Sequence, residues 1–172
     1  MIWRAETSSK FAMRLLGRLR ALTSDERRLL VSAACWLSVV QLGLGRLPFP
    51  RLRRLVTGGG RQVVRVACDL AVAERVVWAV TVASRYVPGR TTCLSLALTV
   101  QGVLARRGHP SRLHIGVVRG AEGQVDAHAW IECGGRVLIG GSGAEVRRFT
   151  PLAVFDVEAT FKLLAVESGQ GS

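Results

Sequence analysis

The sequence predicts an α+β fold, with a helical amino-terminal half followed by a cysteine-bearing helix packed on a small antiparallel sheet. Three observations predict it. Apolar residues recur at helical spacing through the first half of the chain, and from Leu113 onward they alternate with polar or small ones. The change falls at Arg106-Arg107-Gly108-His109-Pro110, where basic residues near the last carbonyls, a glycine and a proline end a helix. At 172 residues the chain can bury a proper core without metals or disulfides, and we divide it into a basic helical region, 1–60, and a core, 61–172.

Phe11, Leu15, Leu16, Leu19 and Leu22 have helical spacing, with Arg14, Arg18 and Arg20 on the other side. Met1 to Arg20 holds no continuous apolar block of the kind a secretory signal needs. Thr23-Ser24-Asp25-Glu26 then starts a second helix, whose uncharged run from Leu29 to Gly45 is bracketed by Arg27-Arg28 and Arg46. That run of 17 residues is at the short edge of the ~17–25 needed to span a membrane. We favour a buried helix, because other apolar elements are there for it to cover; membrane contact stays the alternative. Pro48 and Pro50 end this helix, Arg51 to Val56 forms a short basic one, and Gly58-Gly59-Gly60 is a break. Val63, Val66, Leu70, Val77 and Val80 mark a helix over 62–87, broken near Ala71 to Ala73.

Pro88-Gly89 turns the chain, Thr91 or Thr92 caps, and the apolar run from Cys93 to Arg107 has no breaker except Gly102. Cys93 therefore falls in a first helical turn. Unpaired backbone N–H groups there carry partial positive charge, which favours thiolate over thiol. Two strands follow, Leu113 to Val118 and Val125 to Glu132, then the Gly134-Gly135 hairpin signal and a third strand, Arg136 to Ile139. Leu152 to Phe155 reads as a further strand and Asp156 to Val166 as a closing helix.

Cys35, Cys68, Cys93 and Cys133 form no CxxC pair, so no disulfide framework, zinc site or cofactor is suggested, and a reducing cytoplasm fits. Cys35 and Cys68 read as small buried hydrophobes, and Cys133 as structural. The net charge of +12 is concentrated up to Gly60, with eleven Lys/Arg against three Asp/Glu. Such a surface suits an anionic membrane, an acidic protein partner or plain solvent; with few aromatics and no matching motif, nucleic acid ranks last.

On the second strand Val125, Ala127, Ala129 and Ile131 point to the core, while His128 shares the other face with Asp126, Trp130 and Glu132. A helix packed on this sheet can bring Cys93 and His128 together, the minimum for thiol catalysis: the imidazole handles protons, the sulfur attacks a carbonyl, and the Cys93 N–H meets the oxyanion. His109 reads as a solvated loop residue, and His114 as a surface histidine or a neighbour of the site.

The residues Thr92-Cys93-Leu94 with Ala97 and Leu98, Arg106-Arg107-Gly108, Leu113-His114-Ile115-Gly116-Val117 and Ala127-His128-Ala129-Trp130-Ile131-Glu132 carry a resemblance. It extends back through Glu26-Arg27-Arg28-Leu29-Leu30, Leu47-Pro48-Phe49, Arg53-Arg54-Leu55 and Val87-Pro88-Gly89. Over residues 20–140 the chain resembles the transglutaminase-like leader peptidases of lasso-peptide biosynthesis, in the form where the protease is a separate protein. The resemblance implies a papain-like cysteine peptidase that cuts the leader from a ribosomally made precursor peptide, with Cys93 as nucleophile and His128 as base. It also implies a separate winged-helix leader-recognition protein and an ATP-dependent lasso cyclase that joins the freed amine to an Asp or Glu side chain. Strand patterns are absent from residues 1–90, so the recognition domain must come from a companion, for which the basic helical half is a docking surface.

In that family an acidic group about a dozen residues past the histidine completes the site. If Gly134-Gly135 is a two-residue turn, Trp130 faces Ile139 and His128 faces Gly141, so Gly140-Gly141-Ser142 stands where the carboxylate should be. The substitutes are Ser142, a backbone carbonyl freed by the glycines, or Asp126, which is about 6.5–7 Å off along its own strand. Acyl transfer to an amine and a catalytically impaired scaffold are the alternatives to hydrolysis.

Overall fold

The computed structural model describes residues 22–58, 67–119 and 123–157. The helices expected over 11–22 and 156–166 lie outside these residues, apart from their inner ends. Helix α1 (Ser24–Leu44) starts at a reciprocal cap: the Glu26 N–H donates to the Thr23 hydroxyl at 3.3 Å, and the Thr23 N–H donates to the Glu26 carboxylate at 2.8 Å. It ends at Gly45, before the prolines expected to stop it. Those prolines open α2 (Phe49–Thr57) instead, with Pro48 as its cap and Pro50 in a first turn that needs no intrahelical N–H.

The break expected near Ala71 is in fact a beginning. The Asp69 carboxylate accepts the N–H groups of Ala71 at 2.9 Å and Val72 at 3.3 Å, and α3 (Leu70–Ala83) runs unbroken from there. Helix α4 (Cys93–Arg106) is the most buried of the four, with every residue from Ala97 to Ala105 out of solvent. Its far end is fastened by Arg106, which donates to the Leu55 carbonyl at 2.8 Å and lies 3.5 Å over the Trp36 ring.

Four antiparallel strands, β1 (Arg112–Arg119), β2 (Val125–Cys133), β3 (Arg136–Ile139) and β4 (Thr150–Asp156), form one sheet in the order β3-β2-β1-β4, with a single-turn helix α5 (Gly143–Val146) before β4. The α+β reading of the sequence holds. Leu30, Val40, Leu52, Val80, Leu98 and Ile131 belong to one core, so helices from both sides of residue 60 and the sheet share it. Among the described residues α1 is the one helix long and apolar enough to cross a membrane. It buries Leu29, Leu30, Ala33, Leu37, Val40 and Gly43 and leaves Val31 and Leu42 exposed.

Four further expectations need correcting. Ala129 and Ile131 are buried, but Val125 and Ala127 are exposed, because the first half of β2 runs beyond the cover of the helices. Cys133 pairs with Arg136 as expected; a bulge then sets Ile131, not Trp130, opposite Ile139. And Cys68, expected as a small buried hydrophobe, is joined by a disulfide to Cys133, with their Cα atoms 5.8 Å apart, where no disulfide was expected. It links the residue before the α3 cap to the end of β2. Cys35 is a free cysteine and exposed rather than buried, since it lies on the outer stripe of α1 with Val31 and Leu42.

Candidate active site

Helix α4 opens on a second reciprocal cap. The Ser95 N–H donates to the Thr92 hydroxyl at 3.1 Å, and the Thr92 N–H donates to the Ser95 hydroxyl at 2.9 Å. The cap settles Thr92 rather than Thr91 and makes Cys93 the first helical residue. Because the cap uses Ser95 and the Leu96 N–H bonds back to the Thr92 carbonyl, the N–H groups of Cys93 and Leu94 have no carbonyl behind them in the helix. They remain available to an anion at the sulfur's end. Cys93 itself is a free, partly exposed thiol.

His128 comes from β2, opposite Gly116 on β1. On the other side β3 pairs with β2 only from Ile131 to Cys133, so the His128 stretch has the Gly140-Gly141 turn beside it instead of a strand. That turn matters. His128 Nε2 lies 2.6 Å from the Gly140 carbonyl oxygen. A carbonyl only accepts, so Nε2 carries the proton, and in the neutral ring Nδ1 holds the lone pair. Of the three substitutes for the absent carboxylate, the backbone carbonyl is the one that meets the imidazole. The Ser142 hydroxyl is engaged by the Glu145 N–H at 3.3 Å, capping α5. Asp126 is exposed on its own strand.

The imidazole is further held by rings. Its centroid is 5.0 Å from Phe149 and 6.4 Å from Trp130, and His114 also stacks on Trp130 at 5.2 Å. Gly140 could not be another residue without disturbing this. Its φ is +99°, and a Cβ there would come within 2.6 Å of the Trp130 Cβ and 2.7 Å of the Ala129 carbonyl oxygen.

Cys93 and His128 line one cleft of about 510 Å³, together with Thr92, Gly140, Gly141, Glu145 and Arg148. The two residues singled out in the sequence are thus brought together. Others are not part of the cleft. His109 lies partly buried, its Nδ1 shielded and without a hydrogen-bond partner, rather than solvated as expected. His114 has a side chain only 14% exposed and lies 3.3 Å from a Glu132 carboxylate oxygen.

A family model for the transglutaminase-like superfamily matches residues 34–154, from within α1 to within β4 and across both Cys93 and His128. The chain belongs to the transglutaminase-like superfamily. No curated protein and no solved structure matches it. The superfamily is one of cysteine peptidases and acyltransferases, and in this member the cleft has what such chemistry asks for: a thiol at a helix start, an imidazole of fixed tautomer and unpaired N–H groups beside the sulfur.

Reading the sequence missed Glu145, Arg148 and Phe149. For Glu145 a signal was present, since Ser142-Gly143-Ala144-Glu145 has the spacing of a capping box. The Ser142 N–H donates to the Glu145 carboxylate at 2.6 Å. Ser142, through its backbone and then its hydroxyl, holds this carboxyl below the usual range, and the nearby Arg148 and His128 add to the effect.

Proposed function

We propose that this transglutaminase-like protein is a cysteine peptidase that removes the leader from a ribosomally synthesised lasso-peptide precursor. The observation that carries the reading is the shared cleft, in which the Gly140 carbonyl occupies Nε2 of His128 and leaves Nδ1 for the Cys93 proton. Nδ1 takes that proton, and Sγ adds to the scissile carbonyl carbon. The developing oxyanion is met by the Cys93 N–H. Collapse breaks the C–N bond, and the imidazolium gives its proton to the leaving amine. Water, deprotonated by the same Nδ1, then hydrolyses the thioester, releasing the leader carboxylate and the thiol.

The peptide is delivered by a separate winged-helix recognition protein, and the freed core passes to an ATP-dependent macrolactam cyclase. Both partners follow from the resemblance of the Cys93 helix and the His128 strand to the stand-alone leader peptidases. Since the substrate is made on the ribosome, the reading places the protein in the cytoplasm on the strength of the precursor alone; with Cys68 and Cys133 joined in a disulfide, the cysteines are no longer a sign of a reducing compartment.

The test is cleavage of the precursor encoded beside this chain, in the presence of the recognition protein, read by mass spectrometry. Cys93→Ala is expected to lower the rate by about 10³-fold or more. Undiminished cleavage would overturn the assignment, and an amide product formed with an added primary amine, in place of free carboxylate, would move it to acyl transfer.

A further inference from the structure

Beside the His128 ring lies the indole of Trp130, which is 5% exposed and packed on every edge the structure describes. Its root and its tip are both held by glycines. A Cβ on Gly140 would come within 2.6 Å of the Trp130 Cβ, and one on Gly116 within 3.0 Å of Cη2 at the ring's end. Gly116 is the β1 partner of His128, so the indole leans over the bare position next to the imidazole. The Trp130 and His128 centroids are 6.4 Å apart with planes 19° from parallel, and Phe149 closes the set at 6.3 Å from Trp130 and 5.0 Å from His128.

With root and tip fixed, the freedom left to the indole is the tilt of its plane. A flat ring laid parallel to it opposes that tilt. His114, the cross-strand partner of Trp130 on β1, is such a ring: the centroids are 5.2 Å apart and the planes 6° from parallel. The imidazole of His114 is itself held, since its Nε2 is shielded from solvent, makes no hydrogen bond and lies 3.3 Å from a Glu132 carboxylate oxygen. We infer that His114 is a positioning residue for the proposed reaction: anchored beside Glu132, its ring fixes the plane of Trp130, against which the His128 imidazole is seated. It does not line the cleft, so it acts without touching substrate. The inference rests on the reading of Cys93 and His128 as a catalytic pair.

The test is the rate at which iodoacetamide alkylates Cys93 near neutral pH, read by mass spectrometry of the full chain, with the exposed free thiol of Cys35 as internal standard. His128→Ala comes first. It is expected to slow labelling of Cys93, and an unchanged rate refutes the pair and the inference with it. Given that slowing, His114→Ala is expected to slow Cys93 by about two- to tenfold, the span one aromatic pair commands, with Cys35 unmoved. His114→Phe keeps the flat face and is expected to restore most of the rate. A native rate in His114→Ala, or a rate in His114→Phe as slow as in His114→Ala, overturns the inference while leaving the pair intact. If His114→Ala does not fold, His114→Leu fills the space without a flat face and is judged by the same two outcomes.

Discussion

The two ends of β2 are built in opposite ways. At the Cys133 end the strand pairs on both sides, with β1 and with β3, and is tied to the start of α3 by the disulfide. At the His128 end β3 has stopped, Val125 to Ala127 are exposed, and on the side without a strand the imidazole is tied by a hydrogen bond that it donates to a glycine carbonyl. The comparison teaches how a strand can present a reactive side chain in an open cleft. Rigidity is supplied at one end so that the other can be left accessible, with orientation set by a short turn rather than by further sheet.

The largest expected effect on stability comes from cutting the anchor. Replacing Cys68 and Cys133 by serine opens a loop between residues 65 apart, which should cost up to about 4 kcal/mol, read as a lower denaturant midpoint. The Cys133 sulfur lies 3.1 Å from the Pro110 carbonyl, a partner available to a serine hydroxyl at that position. If loss of the bond abolishes cleavage well below the melting temperature, the two ends are coupled more tightly than the comparison holds. Next is Gly140→Ala, expected to cost about 3 kcal/mol from left-handed backbone and overpacking against Trp130, and to reduce turnover as well. Its counterpart sharpens the contrast. Gly135→Ala, at φ +78° with nothing within 4 Å, should cost only about 1 kcal/mol in the same unfolding assay and leave turnover alone.

The smallest effect concerns pH. The folded Glu145 carboxyl lies below its ordinary 4.5, so its contribution to stability is present above that value and is lost as pH falls through the lower folded one. The melting temperature of Glu145→Gln should lie slightly below that of the native chain near neutrality, and the two should converge in acid.

Much of this was legible in the sequence. Alternation from Leu113 to Ile131 named two strands, and Thr92 and Cys93 marked a helix start; of the β2 residues assigned to the core, Ala129 and Ile131 are there. What was hidden depends on long-range geometry. The Cys68–Cys133 pairing joins residues 65 apart and leaves no spacing signature, and the bulge near Ile131 shifts the hairpin by one residue. Val125 and Ala127 obey the core pattern, yet nothing in their own segment says where the helical layer ends. Pro48 and Pro50 carried a true signal that a helix boundary was near, but the same residue type closes one helix and opens the next. The orienter of His128 could be named only as one of three substitutes, because a backbone carbonyl has no letter of its own.

Helix α4 is a rod of 14 residues, roughly 20 Å long, with the thiol at one tip and Arg106 clasped between Trp36 and the Leu55 carbonyl at the other. The element that aims the sulfur is thus also tethered about four turns away, and a smaller side chain at position 36 should loosen that far tether.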